Sequence, residues 1–135
     1  MSDPSSRVTQ GMAVRRKVLG EAHVDAAAAT PFTADFQTLI TEGAWGTVWS
    51  GPAISLRERS MITIALLAAL GHDDEVAMHV RATRNTGASM GDVREALLHV
   101  AIYAGVPAAN HAFKIAAQTY EDMQTERSGQ EDEHA

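Results

Sequence analysis

The sequence predicts an all-α protein. Apolar residues recur three and four apart through most of the chain, glycines and prolines interrupt them, and no two-residue alternation of useful length occurs. Only 5% of residues are aromatic while alanine is abundant, so the core is expected to form from helices that approach closely through small side chains. The 135 residues, 45% hydrophobic and 21% charged, fit one globular domain spanning 1–135, with 1–6 and roughly 125–135 as flexible tails. A bundle of about six helices is expected.

Each element has a local reason. Gly11 to Leu19 mixes Met12, Val14, Val18 and Leu19 with Arg15, Arg16 and Lys17, an amphipathic helix ended by Gly20. Ala26 to Thr30 carries no signal. Thr30-Pro31 opens a second helix with Phe32, Phe36, Leu39 and Ile40 as its apolar stripe. Trp45 and Trp49 follow, four apart, and Gly51-Pro52 closes the region. Ser55 and Glu58 form a capping box. The helix behind it is apolar almost all round from Met61 to Leu70, which predicts burial on every side and, in a chain this small, a covering surface from another subunit. Gly71 stops that helix, and Asp73 and Asp74 favour a new start through the helix dipole. Gly87 ends the new helix, and Ser89 with Asp92 opens the next, whose inward stripe is Val93, Leu97, Val100 and Ala104. Gly105-Val106-Pro107 breaks it. A last helix is expected from Pro107 to Met123, then a polar tail.

Two groups suit proton transfer. His79 shares a helical face with Val76, Val80 and Thr83, so its imidazole should point inward, either as a hydrogen-bonding core residue or as an acid–base group. Glu58 either completes the cap and no more, or uses that rigid setting for chemistry. Arg57 and Arg59 flank it, and Arg15 and Arg16 form a second cationic pair. Arginine suits carboxylates because its planar fork bonds both oxygens. Trp45 and Trp49 are read as pocket lining or as core, and Asn110, one turn before Phe113, as a structural lock or a pocket hydrogen bonder.

Other chemistries are disfavoured. A net charge of −6 argues against nucleic acid, and the longest apolar run is too short to cross a bilayer. The N-terminal Met1-Ser2-Asp3-Pro4 lacks the charged and apolar regions of a secretory signal, so a cytoplasmic location is the default expectation. No cysteine is present, which removes disulfides, zinc–thiolate sites and thiol redox chemistry. No His-Glu-x-x-His pattern, phosphate loop or nucleophile elbow occurs, and no metal is expected.

Several segments together are similar to the carboxymuconolactone decarboxylase family of the AhpD-like superfamily. They are Gly11 to Gly20 with Ala22-His23-Val24-Asp25, Ala44 to Trp49, Leu56 to Ser60, Ala77 to Arg81 and Ala101 to Asn110. The redox branch of that superfamily carries a Cys-x-x-Cys before the histidine, and His72 and Glu75 stand at those two positions here. That departure removes peroxidase chemistry. The resemblance implies an AhpD-like helical bundle assembling as a trimer or hexamer. It implies cofactor-independent decarboxylation of 4-carboxymuconolactone, a lactone dicarboxylate, to the β-ketoadipate enol-lactone and carbon dioxide in protocatechuate catabolism. Under it, His79 protonates carbon or bonds the developing oxyanion, and Glu58 orients or recharges it. Arg15, Arg16 or Arg59 grips the retained carboxylate, while Trp45, Trp49 and Asn110 shape the pocket. The alternatives are a related lactone decarboxylase or isomerase, or a non-catalytic oligomer that binds an acidic metabolite.

Overall fold

The computed structural model describes residues 4–133, with side chains from 6 to 129. The described residues are helical, with no strand among them. In order they form α1 (Pro4–Leu19), α2 (Glu21–Ala26), α3 (Ala34–Ile40), the π-helix π1 (Thr41–Trp49), α4 (Leu56–Leu70), α5 (Asp73–Thr86), α6 (Met90–Tyr103) and α7 (Val106–Glu133). Seven α-helices and one π-helix therefore replace the six expected. Part of the difference is Gly20, whose φ of 94° separates a short α2 from α1. The chain divides into two compact units, one ending at Arg59 and one beginning at Ser60.

In the first unit α1 packs on π1 almost backbone to backbone. A Cβ added at Gly46 would lie 2.6 Å from the Arg7 carbonyl oxygen, and one added at Gly11 would lie 2.8 Å from the Gly46 nitrogen. Only hydrogen fits at either position. With Gly11 facing π1, residues four and seven further along share its side, so Arg15 and Val18 are buried with it. The sequence reading paired Arg15 with Arg16 and did not separate a buried from a half-exposed cation. The stripe of α3 turns out differently: Phe32, Phe36 and Leu39 are exposed, while Gln37 and Ile40 are half-buried and Thr41 is buried. π1 holds Trp45 and Trp49, both buried and stacked with ring centroids 5.2 Å apart. The wider turn of a π-helix brings residues four apart close to one full turn apart.

The second unit has a core of small and branched side chains. Ile64 and Ala68 of α4, Val76 and Val80 of α5, and Val93, Leu97 and Val100 of α6 meet Ala109, Ala112 and Ala116 of α7. The alanines let α7 approach both α5 and α6. Helix ends follow the expected chemistry. Ser89 and Asp92 form a reciprocal capping box, and Gly71, Gly87 and Gly105 have positive φ at the three breaks. Ser60 donates a buried 2.7 Å hydrogen bond to Thr86, tying the start of this unit to the end of α5.

In the single chain α4 buries Ser60, Ile64 and Ala68 and leaves Ile62, Leu66 and Leu70 each more than half exposed, so the described residues do not supply the surface expected to cover it. One expectation is corrected. The last helix does not stop near Met123 but continues to Glu133. Arg81 holds that extension with an ion pair to Glu126 at 2.9 Å, and Thr125 donates to the Glu121 carbonyl. The outermost parts of the expected tails, 1–3 and 134–135, lie outside the described residues.

Gly46→Ala tests the α1–π1 contact. Alanine favours a helix by up to about 1 kcal/mol over glycine, but the atoms in its way are backbone and overpacking costs about 1–3 kcal/mol. Urea denaturation should therefore show a net loss of stability, and a gain would mean that the helices can separate at no penalty.

Candidate active site

Arg15 and Arg16 are neighbours in sequence with opposite electrostatic settings. Both line a cavity of about 240 Å³ in the first unit, together with Asp25 and Gln37. Arg16 is half-exposed and already neutralised, with Nη1 donating to Glu21 and, at 2.9 Å, to Asp25. Those two carboxylates raise its pKa. Arg15 is 8% exposed, and its Nη1 donates at 3.0 Å to the neutral amide oxygen of Gln37. Its buried Nε has no acceptor, and among the described residues no carboxylate pairs with it. Burial lowers its pKa, the expected direction for a cation removed from water without a counter-charge. The guanidinium remains charged, because its ordinary value is so high.

Glu58 and Arg59 lie at the start of α4. The capping box forms as predicted: the Ser55 backbone N–H and hydroxyl each donate to Glu58 Oε1 at 2.9 Å, and the Glu58 N–H donates to Ser55 Oγ at 3.1 Å. Glu58 is exposed in the single chain. The bonds from Ser55 hold its carboxyl below the usual range, with help from the charges of Arg57 and Arg59. Arg59 is half-buried, and its Nη2 donates to the Gly51 carbonyl at 3.0 Å.

His79 lies on the buried face of α5, 6% exposed, among Val76, Val80 and Thr83. The spacing predicted that placement. Asn110 is a correction: it is exposed, because the inward face of α7 runs through Ala109, Ala112 and Ala116. A cleft of about 570 Å³ in this unit is lined by Thr83, Met90, Tyr120 and Arg127 among others. A second, of about 410 Å³, is lined by Asp73 and His111, whose side chains are 2.8 Å apart. Neither includes His79 or Asn110, so size alone does not locate the chemistry.

The structure thus brings Arg15 and Arg16 to one cavity wall, and it stacks Trp45 on Trp49 in the core without placing them on that wall. Gln37 was missed. It stands three residues before Ile40 on the half-buried side of α3, and a lone polar residue there carries no signal in the sequence. Among the described residues no group of three or more His, Asp or Glu is placed to hold a metal ion, and no helix is long and apolar enough to cross a membrane.

Glutamine is the discriminating replacement at Glu58, since its amide oxygen still accepts from Ser55 while the negative charge is lost. Glu58→Gln should leave thermal stability at pH 7 near the parental value, yet lower turnover by about a hundredfold if the carboxylate acts in chemistry. Because the folded carboxyl is depressed below its ordinary 4.5, its contribution is complete above that value and is lost as pH falls through the lower folded value. Any stability advantage of the parent over Glu58→Gln should therefore vanish in acid; an advantage that grows below pH 4.5 would contradict the assigned shift.

The sequence pattern of the Carboxymuconolactone decarboxylase family matches residues 34–118. A 4-carboxymuconolactone decarboxylase from Acinetobacter baylyi is 44% identical over 119 residues, covering 87% of this chain and 89% of that protein. A protein named nitrosuccinic acid decarboxylase npaB, from Metarhizium robertsii, is 40% identical over 116 residues, covering 84% of this chain and 81% of its own. The chain belongs to the carboxymuconolactone decarboxylase family, and it is a decarboxylase.

Proposed function

We propose that this chain decarboxylates 4-carboxymuconolactone to the β-ketoadipate enol-lactone in protocatechuate catabolism. The observation that carries this reading is the 44% identity to the Acinetobacter baylyi protein over 119 residues. The chemistry suits the residues. As the bond to the departing carboxylate breaks, its electron pair moves through the ring double bond onto the lactone carbonyl oxygen. Protonation of the carbon beside that carbonyl then gives the enol-lactone, so substrate and one proton become product and carbon dioxide. The ring is its own electron sink, and no cofactor is needed to take the charge.

The roles follow from type and setting. His79 supplies the proton or a hydrogen bond to the dienolate oxygen, and Glu58 is the second proton-transfer group. An arginine of the set Arg15, Arg16 and Arg59 holds the retained carboxylate. The exposed Ile62, Leu66 and Leu70, spaced four apart on α4, support assembly as a homo-oligomer, a trimer or hexamer, in which that face is covered.

The Metarhizium robertsii relative favours a second reading, decarboxylation of a nitro-substituted dicarboxylic acid. The two named substrates share a skeleton. Each is a succinate whose second carbon bears both the carboxylate to be lost and an electron sink, a conjugated lactone in one and a nitro group in the other. The purified chain should release carbon dioxide from the lactone, with ultraviolet absorbance reporting the shifted double bond. Parallel incubation with nitrosuccinate separates the two readings. His79→Ala should lower turnover of the accepted substrate by about 10²–10⁴-fold while the protein stays folded. Parental turnover in that variant would remove His79 from the reaction.

A further inference from the structure

We propose that Arg15, held by Gln37, is the subsite for the retained carboxylate of the substrate. This deepens the decarboxylase reading and rests on it. Three arginines were candidates, and their surroundings separate them. Arg16 is engaged by Glu21 and Asp25, so an incoming carboxylate would have to displace an existing ion pair. Arg59 donates to the Gly51 carbonyl, and its charge already acts on Glu58. Arg15 alone of the three is buried beside a cavity with a neutral partner.

A buried guanidinium without a counter-charge is costly, because the low dielectric that strengthens a pair also penalises an unpaired ion. Binding an anion there recovers much of that penalty, so the site selects negative charge. Gln37 is the positioning residue. Its oxygen fixes one arm of the guanidinium without neutralising it, whereas a glutamate in the same place would form the ion pair internally. Its amide NH₂ remains available as a donor of its own. Asp25 also lines the cavity and pairs with Arg16, which is shared with Glu21, so that cluster keeps one net negative charge that an incoming anion must meet beside Arg15. The cavity of about 240 Å³ has room for the short arm of a substituted succinate.

The test uses the full chain and succinate, the fragment common to both named substrates, titrated by calorimetry at constant ionic strength. Arg15→Met and Gln37→Glu should each weaken succinate binding about tenfold or more, the scale of one charge-assisted contact. Gln37→Met should weaken it less than Gln37→Glu, because it removes the positioning bond without adding a competing charge. Arg16→Met should weaken it less than Arg15→Met. Lys17→Met, which removes one positive charge from the exposed side of the same helix, should change affinity less than about threefold. In turnover, Gln37→Glu should raise KM with kcat largely kept, which a merely structural role would not do. No succinate binding by the parent, an unaltered affinity in Gln37→Glu, or a larger loss in Arg16→Met than in Arg15→Met would each overturn the proposal. Succinate binding that follows the expected order without turnover of either substrate would instead sink the decarboxylase reading and leave the anion site standing.

Discussion

The contact between Gly11 and Gly46 sets the geometry of the first unit. Two helices can meet at their backbones only where neither has a side chain, so the glycines fix how α1 is rotated about its axis. Helical spacing then carries Arg15 and Val18 to the same side. The burial of a cation is a consequence of that rotation, and the protein accommodates it with a neutral amide on α3. Arg16, one residue further round the helix, stays half-exposed and finds two carboxylates. One residue of offset thus separates a structural ion pair from a guanidinium that still has charge to offer.

The second unit uses small side chains to a different end. Ala109, Ala112 and Ala116 bring α7 close to α5 and α6 and are themselves buried there. His79 stands in α5 with Val76 and Val80 as buried neighbours, so packing restricts its rotamer. The Ser60–Thr86 hydrogen bond secures the end of the same helix. An imaginary chain with leucines in place of those alanines would hold its helices further apart and leave the imidazole less constrained.

Helix ends were legible in the sequence because their causes are local. Ser55–Glu58 forms the expected capping box, Ser89 and Asp92 open α6 as expected and prove to be a second one, and Gly20, Gly71, Gly87 and Gly105 all adopt positive φ. The inward placement of His79 was legible for a related reason, since the alternation within α5 is unambiguous. Helix rotation was harder. On α1 the decisive residue is Gly11, which has no hydrophobicity for a periodicity argument to count, so nothing marked Arg15 as the buried member of its pair. On α3 the apolar stripe pointed the wrong way because Phe32, Phe36 and Leu39 are not packed within the single chain. Asn110 was misjudged because alanine, though weakly hydrophobic, is what α7 buries. The extension of α7 depends on Arg81, distant in sequence from Glu126, and local polarity cannot report such a pairing.

The opposite pKa directions of Glu58 and Arg15 bear on how the proposed reaction divides its labour. Ser55 keeps the Glu58 carboxyl below its ordinary range, so near neutral pH it is ionised and a poor proton donor. His79, the other proton-transfer group, lies buried on α5 among Val76, Val80 and Thr83. The donor to carbon is therefore better assigned to His79, with Glu58 acting as base or counter-charge. Arg15 cannot serve as an acid either, because even a lowered guanidinium holds its proton; its contribution is a fixed positive charge. A substrate that carries its own electron sink asks little more of a protein than a held carboxylate and one well-placed proton. That economy accords with a chain that has no cysteine, and with relatives named for two succinate-like substrates that differ in their electron sink.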